Sequence, residues 1–215
     1  SGSDGSPSWT MTDVLDKHKS VFEFLKAYNP DSSTDNKISV QCMNNFVRSC
    51  AGYAVVTFVL GVGDRHLDNV MMLTDGHFLH IDFGWIFGED PKKNIFTPPP
   101  FRFHKSLLDA MGGKDGENFL KFCQLAKAAY IHLRHHARLF LSLCQLMVDS
   151  GIDAFVVVGS RKKPEDLLKV MEDRFRLAET EERAGIFFDA IIEESVNHVG
   201  VEVLERFHKV AVSFR

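Results

Sequence analysis

Between Thr12 and Tyr28, the apolar residues Val14, Leu15, Val21, Phe22, Phe24 and Leu25 recur at helical spacing, and the polar run from Asn29 to Lys37 ends the pattern. Ser39 then stands where a helix N-cap belongs. Met43, Phe46, Val47, Cys50, Ala51, Ala54, Val55 and Phe58 follow at intervals of three and four. This second helix turns apolar nearly all round by Val59, which predicts a central core helix. The pattern changes at Val70. Val-Met-Met-Leu and Phe-Leu-His-Ile flank Thr-Asp-Gly-His, and Asp75-Gly76 predicts a hairpin closed by a two-residue turn, since both positions tolerate positive φ. The stretch from Asp82 to Phe103, punctuated by proline and glycine, predicts a long loop. From Glu117 the spacing is helical again, as two helices or one bent one, ended by Gly151. A helix is expected from Glu165 to about Arg174 and a last one from Thr180 or Arg183, roughly 183–215. Residues 1–10, small and polar, read as a tag-like lead-in outside the fold.

Composition narrows the class. The chain has 215 residues, 25 Lys plus Arg against 29 Asp plus Glu, and a net charge of −4, with 45% apolar residues. Such usage excludes a disordered chain, a collagen and a strongly basic nucleic-acid binder, so no nucleic acid is expected as partner. The length suits one domain or two small ones. The pattern of elements makes it α+β and predominantly helical. The four cysteines show neither CxxC nor zinc spacing, which favours a reducing compartment. The most apolar stretch, Ala51 to Val62, is shorter than the roughly 20 residues a bilayer demands.

The candidate chemistry lies on either side of the hairpin. Gly63-Asp64-Arg65-His66-Leu67-Asp68-Asn69 precedes it and Asp82-Phe83-Gly84 follows. A two-residue reversal at Asp75-Gly76 sets Asn69 opposite Asp82, about 4.5–5.5 Å apart at Cα and on one face. One amide oxygen and one carboxylate would then meet at a point, a hard-oxygen site suited to Mg²⁺. Asp64 and His66 approach the same point from the preceding loop. A carboxylate, an imidazole and two metal-binding oxygens are the parts phosphoryl transfer needs. Arg65 reads as a structural clamp on the loop, and Asp68 as a turn former.

GDRHLDN followed by HIDFG resembles the phosphatidylinositol 3-/4-kinase superfamily, in which the catalytic triplet runs Asp-Arg-His where protein kinases have His-Arg-Asp. Within it the chain resembles the class III phosphatidylinositol 3-kinases, the lipid kinases of vacuolar sorting. The likeness rests on Ser49 to Met72, Asp-Pro-Lys and the triple proline after Asp82-Phe83-Gly84, Met111-Gly112-Gly113, His132-Leu133-Arg134, Leu146 to Asp149, Asp173 to Leu177 and Glu194-Ser195-Val196. It runs from about Val14 to the end.

The resemblance implies the C-terminal lobe of a bilobal kinase (residues 11–215), with a catalytic loop at 63–69, a catalytic hairpin at 70–81 and an activation loop at 82–100. It implies transfer of the ATP γ-phosphate to the 3-hydroxyl of phosphatidylinositol. Asp64 and His66 would be catalytic, Asn69 and Asp82 the ligands of Mg²⁺ or Mn²⁺. Met71 and Ile81 would floor the adenine pocket, although hairpin core packing explains them equally. Lys92 and Lys93 would read the headgroup, and so few cations favour plain phosphatidylinositol; the alternative is a solvated lysine pair. The segment Lys93 to Thr97 is longer than expected, and Glu89 stands where a basic residue is expected.

In the last helix Phe207, Val210 and Phe214 form an apolar stripe beside Lys209 and other cations, which suits an anionic membrane surface as well as packing onto the lobe. Nothing before Asp64 resembles a phosphate loop or a strand lysine, so an N-lobe and a helical domain are expected outside this chain, and the fragment alone is expected to be inactive. The resemblance further implies a kinase-like regulatory subunit, a Beclin-like partner, and a cytoplasmic protein peripheral on endosomal and autophagic membranes. Two alternatives fit the same residues: a Ser/Thr protein kinase of the related branch, which usually carries Asp-Leu-Gly at the Asp82 position, and a non-catalytic interaction fragment.

Overall fold

The computed structural model describes residues 8–90, 98–147 and 164–198. Eight helices and a three-stranded antiparallel sheet make up these residues, and the fold is the predominantly helical α+β arrangement expected. The helix α3 (Val40–Leu60) is its axis. Ser39 caps it by accepting from the Cys42 N–H, and Gly61 ends it in the left-handed conformation at φ 62°. Its buried residues, from Cys42 and Phe46 to Phe58 and Val59, cover most of its circumference, and Gln41, Arg48, Gly52 and Val56 form the stripe left to solvent. α5 (Glu117–His135) packs along it, and α8 (Glu181–Asn197) packs on α5. Tyr130 of α5 stacks on Phe188 of α8, with ring centroids 4.4 Å apart, and both rings are fully buried.

The N-terminal helical stretch is two helices, α1 (Met11–His18) and α2 (Val21–Tyr28). Lys19 turns left-handed at φ 68°, and the Ser20 hydroxyl accepts from the Glu23 N–H to start α2. Residues 8–10, expected within the lead-in, form the edge strand β1 (Ser8–Thr10). It pairs with β2 (Val70–Leu73), and Trp9 packs against the main core. Three residues are too few for a strand to show in a sequence pattern. A short helix, α4 (Lys105–Ala110), follows the long loop, capped by the His104 side chain.

Of the two alternatives expected after Glu117, two helices form: α5 stops at His135 and α6 (Ala137–Met147) resumes past His136, while the expected end at Gly151 lies outside the described residues. α7 (Pro164–Phe175) matches the helix expected from Glu165 to about Arg174. The terminal helix differs from expectation. α8 starts at its Thr180 cap but ends at Asn197, with His198 extended at ψ 103°. Asn197 and His198 are weak helix formers, and residues 199–215 of the expected helix lie outside the described residues. The membrane-stripe residues Phe207, Lys209, Val210 and Phe214 lie outside the described residues, as do Lys92 and Lys93. Among the described residues no helix is long and apolar enough to cross a membrane.

The hairpin forms between β2 and β3 (Phe78–His80), but one residue out of the expected register. Val70 pairs with His80, Met71 with Leu79 and Met72 with Phe78. The Leu73 N–H donates to the His77 carbonyl at 2.8 Å, so the loop is Thr74-Asp75-Gly76, three residues rather than two. Only Gly76 has positive φ, at 95°. That is the three-residue hairpin loop closed by a left-handed glycine, which Asp-Gly serves as well as it serves a two-residue turn.

α3 and the Asn29 cap of α2 select this loop. The Asn45 amide donates to the Asp75 carbonyl at 3.0 Å, Asn29 donates to the Thr74 carbonyl at 2.6 Å, and Gly76 lies so close to the Cys42 carbonyl that a Cβ would sit 2.4 Å from it. Ser49 of α3 also accepts from the Phe78 N–H at 2.9 Å, which ties β3 to the axis.

Candidate active site

The loop from Val62 to Asn69 leaves the end of α3 and enters β2 through a single 3₁₀ turn, Leu67–Asn69. With the corrected register, Asn69 lies opposite Ile81, and the Ile81 N–H donates to the Asn69 carbonyl at 3.0 Å. Asn69 and Asp82 are therefore not the directly opposed pair that a two-residue turn requires. Asp82 stands one residue beyond, at φ 59°, and Asp64 is likewise left-handed at φ 48°. Aspartate is among the few non-glycine residues that occupy this region. The left-handed backbone ends strand alternation at Asp82, so strand parity no longer sets the direction of its carboxylate.

Arg65 joins the two segments. Its guanidinium is buried and donates through Nε to the Gly63 carbonyl at 2.7 Å, through Nη1 to the Ile81 carbonyl at 2.7 Å and through Nη2 to the Asp82 carbonyl. Burial holds its pKa below the ordinary guanidinium value, against the pull of Asp82, Asp64 and Asp90. The sequence-level reading of Arg65 as a clamp thus acquires named partners: it fastens the Asp64 loop to the Asp82-Phe83-Gly84 loop. Asp82 Oδ1 accepts from the Gly84 N–H at 3.1 Å, and the carboxylate lies in an exposed stretch. Asn69 is buried and donates to the Asp64 carbonyl at 2.9 Å, which leaves its Oδ1 as the acceptor end of the amide.

His66 sits between two carboxylates. Its Nε2 is 3.9 Å from Asp64 Oδ2 and its Nδ1 is 3.7 Å from Asp68 Oδ2, ion-pair rather than hydrogen-bond distances. Its side chain is 18% exposed and that of Asp64 22%, so both reach solvent while anchored. Met71 faces away from the core with Leu79 opposite and Ile81 diagonal to it, on the half-exposed outer face of the sheet, while Val70, Met72, Phe78 and His80 fill the inner face.

The match to known proteins decides the family. The model for "Phosphatidylinositol 3- and 4-kinase" matches residues 9–156. The chain belongs to the phosphatidylinositol 3- and 4-kinase family. It is 39% identical over 97% of its length to the phosphatidylinositol 3-kinase VPS34 of Candida glabrata, covering 23% of that protein. It is 37% identical over 97% of its length to the VPS34 of Saccharomyces cerevisiae, covering 23%, and 35% identical over the same share to that of Arabidopsis thaliana, covering 25%. The chain thus spans about a quarter of the length of the curated relatives it matches.

In this family member three further residues build the site that sequence spacing did not mark. Asp90 accepts from the Asp64 N–H at 2.8 Å and holds the loop from the far side. Asp68, read as a turn former, flanks His66. Arg102, beyond the loop that follows Asp82, donates to the Arg65 carbonyl. Asp90 and Arg102 act through contacts between segments far apart in sequence, a signal no spacing rule carries, whereas Asp68 lies two residues from its partner His66. Among the described residues no group of three or more His, Cys, Asp or Glu could hold a metal, so a cation here would rest on the mixed amide and carboxylate set.

Proposed function

We propose that the protein carrying this chain is a lipid kinase that transfers the γ-phosphate of ATP to the 3-hydroxyl of phosphatidylinositol. The observation that carries the reading is the Arg65 clamp, which holds the Asp64–Asn69 loop against Asp82-Phe83-Gly84 in a chain 35–39% identical to curated phosphatidylinositol 3-kinases. His66, or Asp64 beside it, takes the proton of the inositol hydroxyl as its oxygen attacks the γ-phosphorus, the bond to the bridging oxygen breaks and ADP leaves. Asn69 and Asp82 are the residues that would hold Mg²⁺ or Mn²⁺. Their donors fit a hard cation: the Asn69 amide is oriented by its bond to the Asp64 carbonyl, and Asp82 uses one carboxylate oxygen on Gly84. Such an ion, when bound, neutralises charge on the phosphate oxygens. Met71 and Ile81 supply an apolar surface for the adenine ring.

Lys92 and Lys93 would meet the headgroup, and Phe207, Lys209, Val210 and Phe214 the membrane surface. A phosphate loop and strand lysine would come from an N-lobe, and a helical domain, a kinase-like regulatory subunit and a Beclin-like partner would complete the assembly on endosomal and autophagic membranes. The test is phosphate transfer by the full-length protein onto vesicles of phosphatidylinositol, vesicles of phosphatidylinositol 4-phosphate, and a Ser/Thr peptide. Labelled phosphatidylinositol 3-phosphate as the main product is expected. Labelling of the peptide alone, or of another ring position, would reject the assignment.

A further inference from the structure

The loop that follows Asp82-Phe83-Gly84 is fastened to the stem of the catalytic loop by backbone bonds. The Gly63 N–H donates to the Trp85 carbonyl at 2.8 Å, Phe87 N–H to the Leu60 carbonyl at 2.6 Å and Gly88 N–H to the Gly61 carbonyl at 2.9 Å. The two strands of chain approach so closely that a Cβ on Gly61 would lie 2.5 Å from the Gly88 nitrogen, and one on Gly63 would lie 2.2 Å from the Glu89 carbonyl oxygen. Phe87 holds a left-handed backbone at φ 59°, an uncommon state for an aromatic residue, and is 2% exposed. Its ring belongs to a small apolar cluster with Cys144 of α6 and Leu168 and Met171 of α7, separate from the main core.

Arg174, on the last turn of α7, backs the same junction. Its Nη1 donates to the Phe58 carbonyl at the end of α3, and its guanidinium lies 5.4 Å from the Phe58 ring centroid. A Cβ on Gly61 would meet Nη1 at 2.4 Å, and one on Gly88 would meet Nη2 at 3.7 Å. Burial draws its pKa down to about 10. A desolvated guanidinium on a carbonyl is costly unless the geometry around it is fixed. That geometry is fixed from behind: Tyr130 of α5 donates to the Arg174 carbonyl at 2.8 Å, and Arg134 donates to the Phe175 carbonyl at 3.0 Å.

We propose that Arg174 and the Phe87 socket form a positioning device, through which α7 sets the root of the Asp82-Phe83-Gly84 loop against the catalytic loop. Arg174 acts through the Phe58 carbonyl and the junction of Gly61 with Gly88, to which Gly63 is tied by its bond to the Trp85 carbonyl. The idea rests on the proposed kinase function for its catalytic consequence but not for its structural one, so the two are read separately.

The experiment uses the full-length protein with Arg174→Met, Arg174→Lys, Phe87→Leu and the double variant Arg174→Met with Phe87→Leu. In hydrogen exchange, the amides of Gly63, Phe87 and Gly88 exchange at least about tenfold faster in Arg174→Met, while those in the middle of α5 keep wild-type rates. In the phosphatidylinositol assay, kcat falls roughly ten- to a hundredfold with the KM for ATP within twofold, as expected for a misplaced rather than a missing group. Arg174→Lys restores part of kcat, and the double variant loses little more than either single change.

Faster exchange spread evenly over α3, α5 and α7, or unchanged exchange at the three amides, would overturn the proposal. So would a kcat held at wild-type level while those amides open. A wild-type protein without transfer activity would reject the kinase reading and leave the exchange result to decide the device. Should Arg174→Met not fold, Phe87→Leu alone carries both readouts.

Discussion

Replacing Arg65 by Met removes three charged donors at once, to the carbonyls of Gly63, Ile81 and Asp82. A hydrogen bond to a charged group contributes about 1.5–3 kcal/mol. Three at the lower limit sum to about 4–5 kcal/mol. The buried guanidinium has already lost hydration, which its lowered pKa reflects, and Met fills part of the space, so some of that sum returns. A net loss of about 2–4 kcal/mol is expected. At roughly 2–4 °C per kcal/mol for a chain of this size, the melting temperature falls by about 5–15 °C. Urea unfolding of the 215-residue chain with its thermal melt measures both quantities. Arg65→Lys keeps the charge but offers a point donor in place of a planar fork, so it recovers less than half of the loss. A change in stability below about 0.5 kcal/mol in Arg65→Met, or full recovery by Lys, would refute the clamp.

Gly76→Ala is expected to cost about 1–3 kcal/mol, since a Cβ would sit 2.4 Å from the Cys42 carbonyl and φ is 95°, whereas Gly52→Ala, with nothing within 4 Å in the exposed interior of α3, should stabilise by about 0.5–1 kcal/mol; parallel urea melts compare them. His80 is buried among Tyr53, Phe78 and the two guanidiniums of Arg65 and Arg102, and burial first, then those charges, push its pKa down to about 3 from an ordinary 6.5. The unfolded chain therefore binds a proton that the native chain refuses. Stability is complete above pH 6.5 and falls as the pH drops toward 3, by about 1.4 kcal/mol per unit where the slope is steepest. His80→Leu should flatten that window in pH-dependent urea melts; an unchanged slope would contradict it. The 215-residue chain by itself should bind Mg·ATP weakly and show negligible transfer to phosphatidylinositol, and turnover near that of the full-length protein would contradict the need for an N-lobe.

Much of this fold was legible because the relevant signals are local. The Ser39 cap, the broad apolar face of α3 and the punctuation around Thr180 each follow from residues within a turn of one another. The Ser20 to Glu23 cap was equally local, and it divides the N-terminal stretch into α1 and α2. The hairpin itself was readable but its register was not. Asp75-Gly76 satisfies two loop types, and the choice between them is made by Asn29, Asn45 and the close approach of Gly76 to Cys42, all outside the hairpin. The candidate site shows the same division. The residue types at 64, 66, 69 and 82 announced a chemistry, yet the left-handed backbones of Asp64 and Asp82 and the roles of Asp90 and Arg102 depend on contacts between remote loops. The register sets Asn69 opposite Ile81 rather than Asp82, and it is a buried arginine, Arg65, that ties the Asp64 loop to the Asp82 loop.

The most direct measurement is a Mn²⁺ titration followed by electron paramagnetic resonance, on the full-length protein with a non-hydrolysable ATP analogue, comparing wild type with Asn69→Ala and Asp82→Asn. Each substitution should weaken Mn²⁺ binding by about tenfold or more with the melting temperature unchanged within a few degrees. Wild-type Mn²⁺ affinity in both variants would contradict the assignment of these two residues as the cation's ligands.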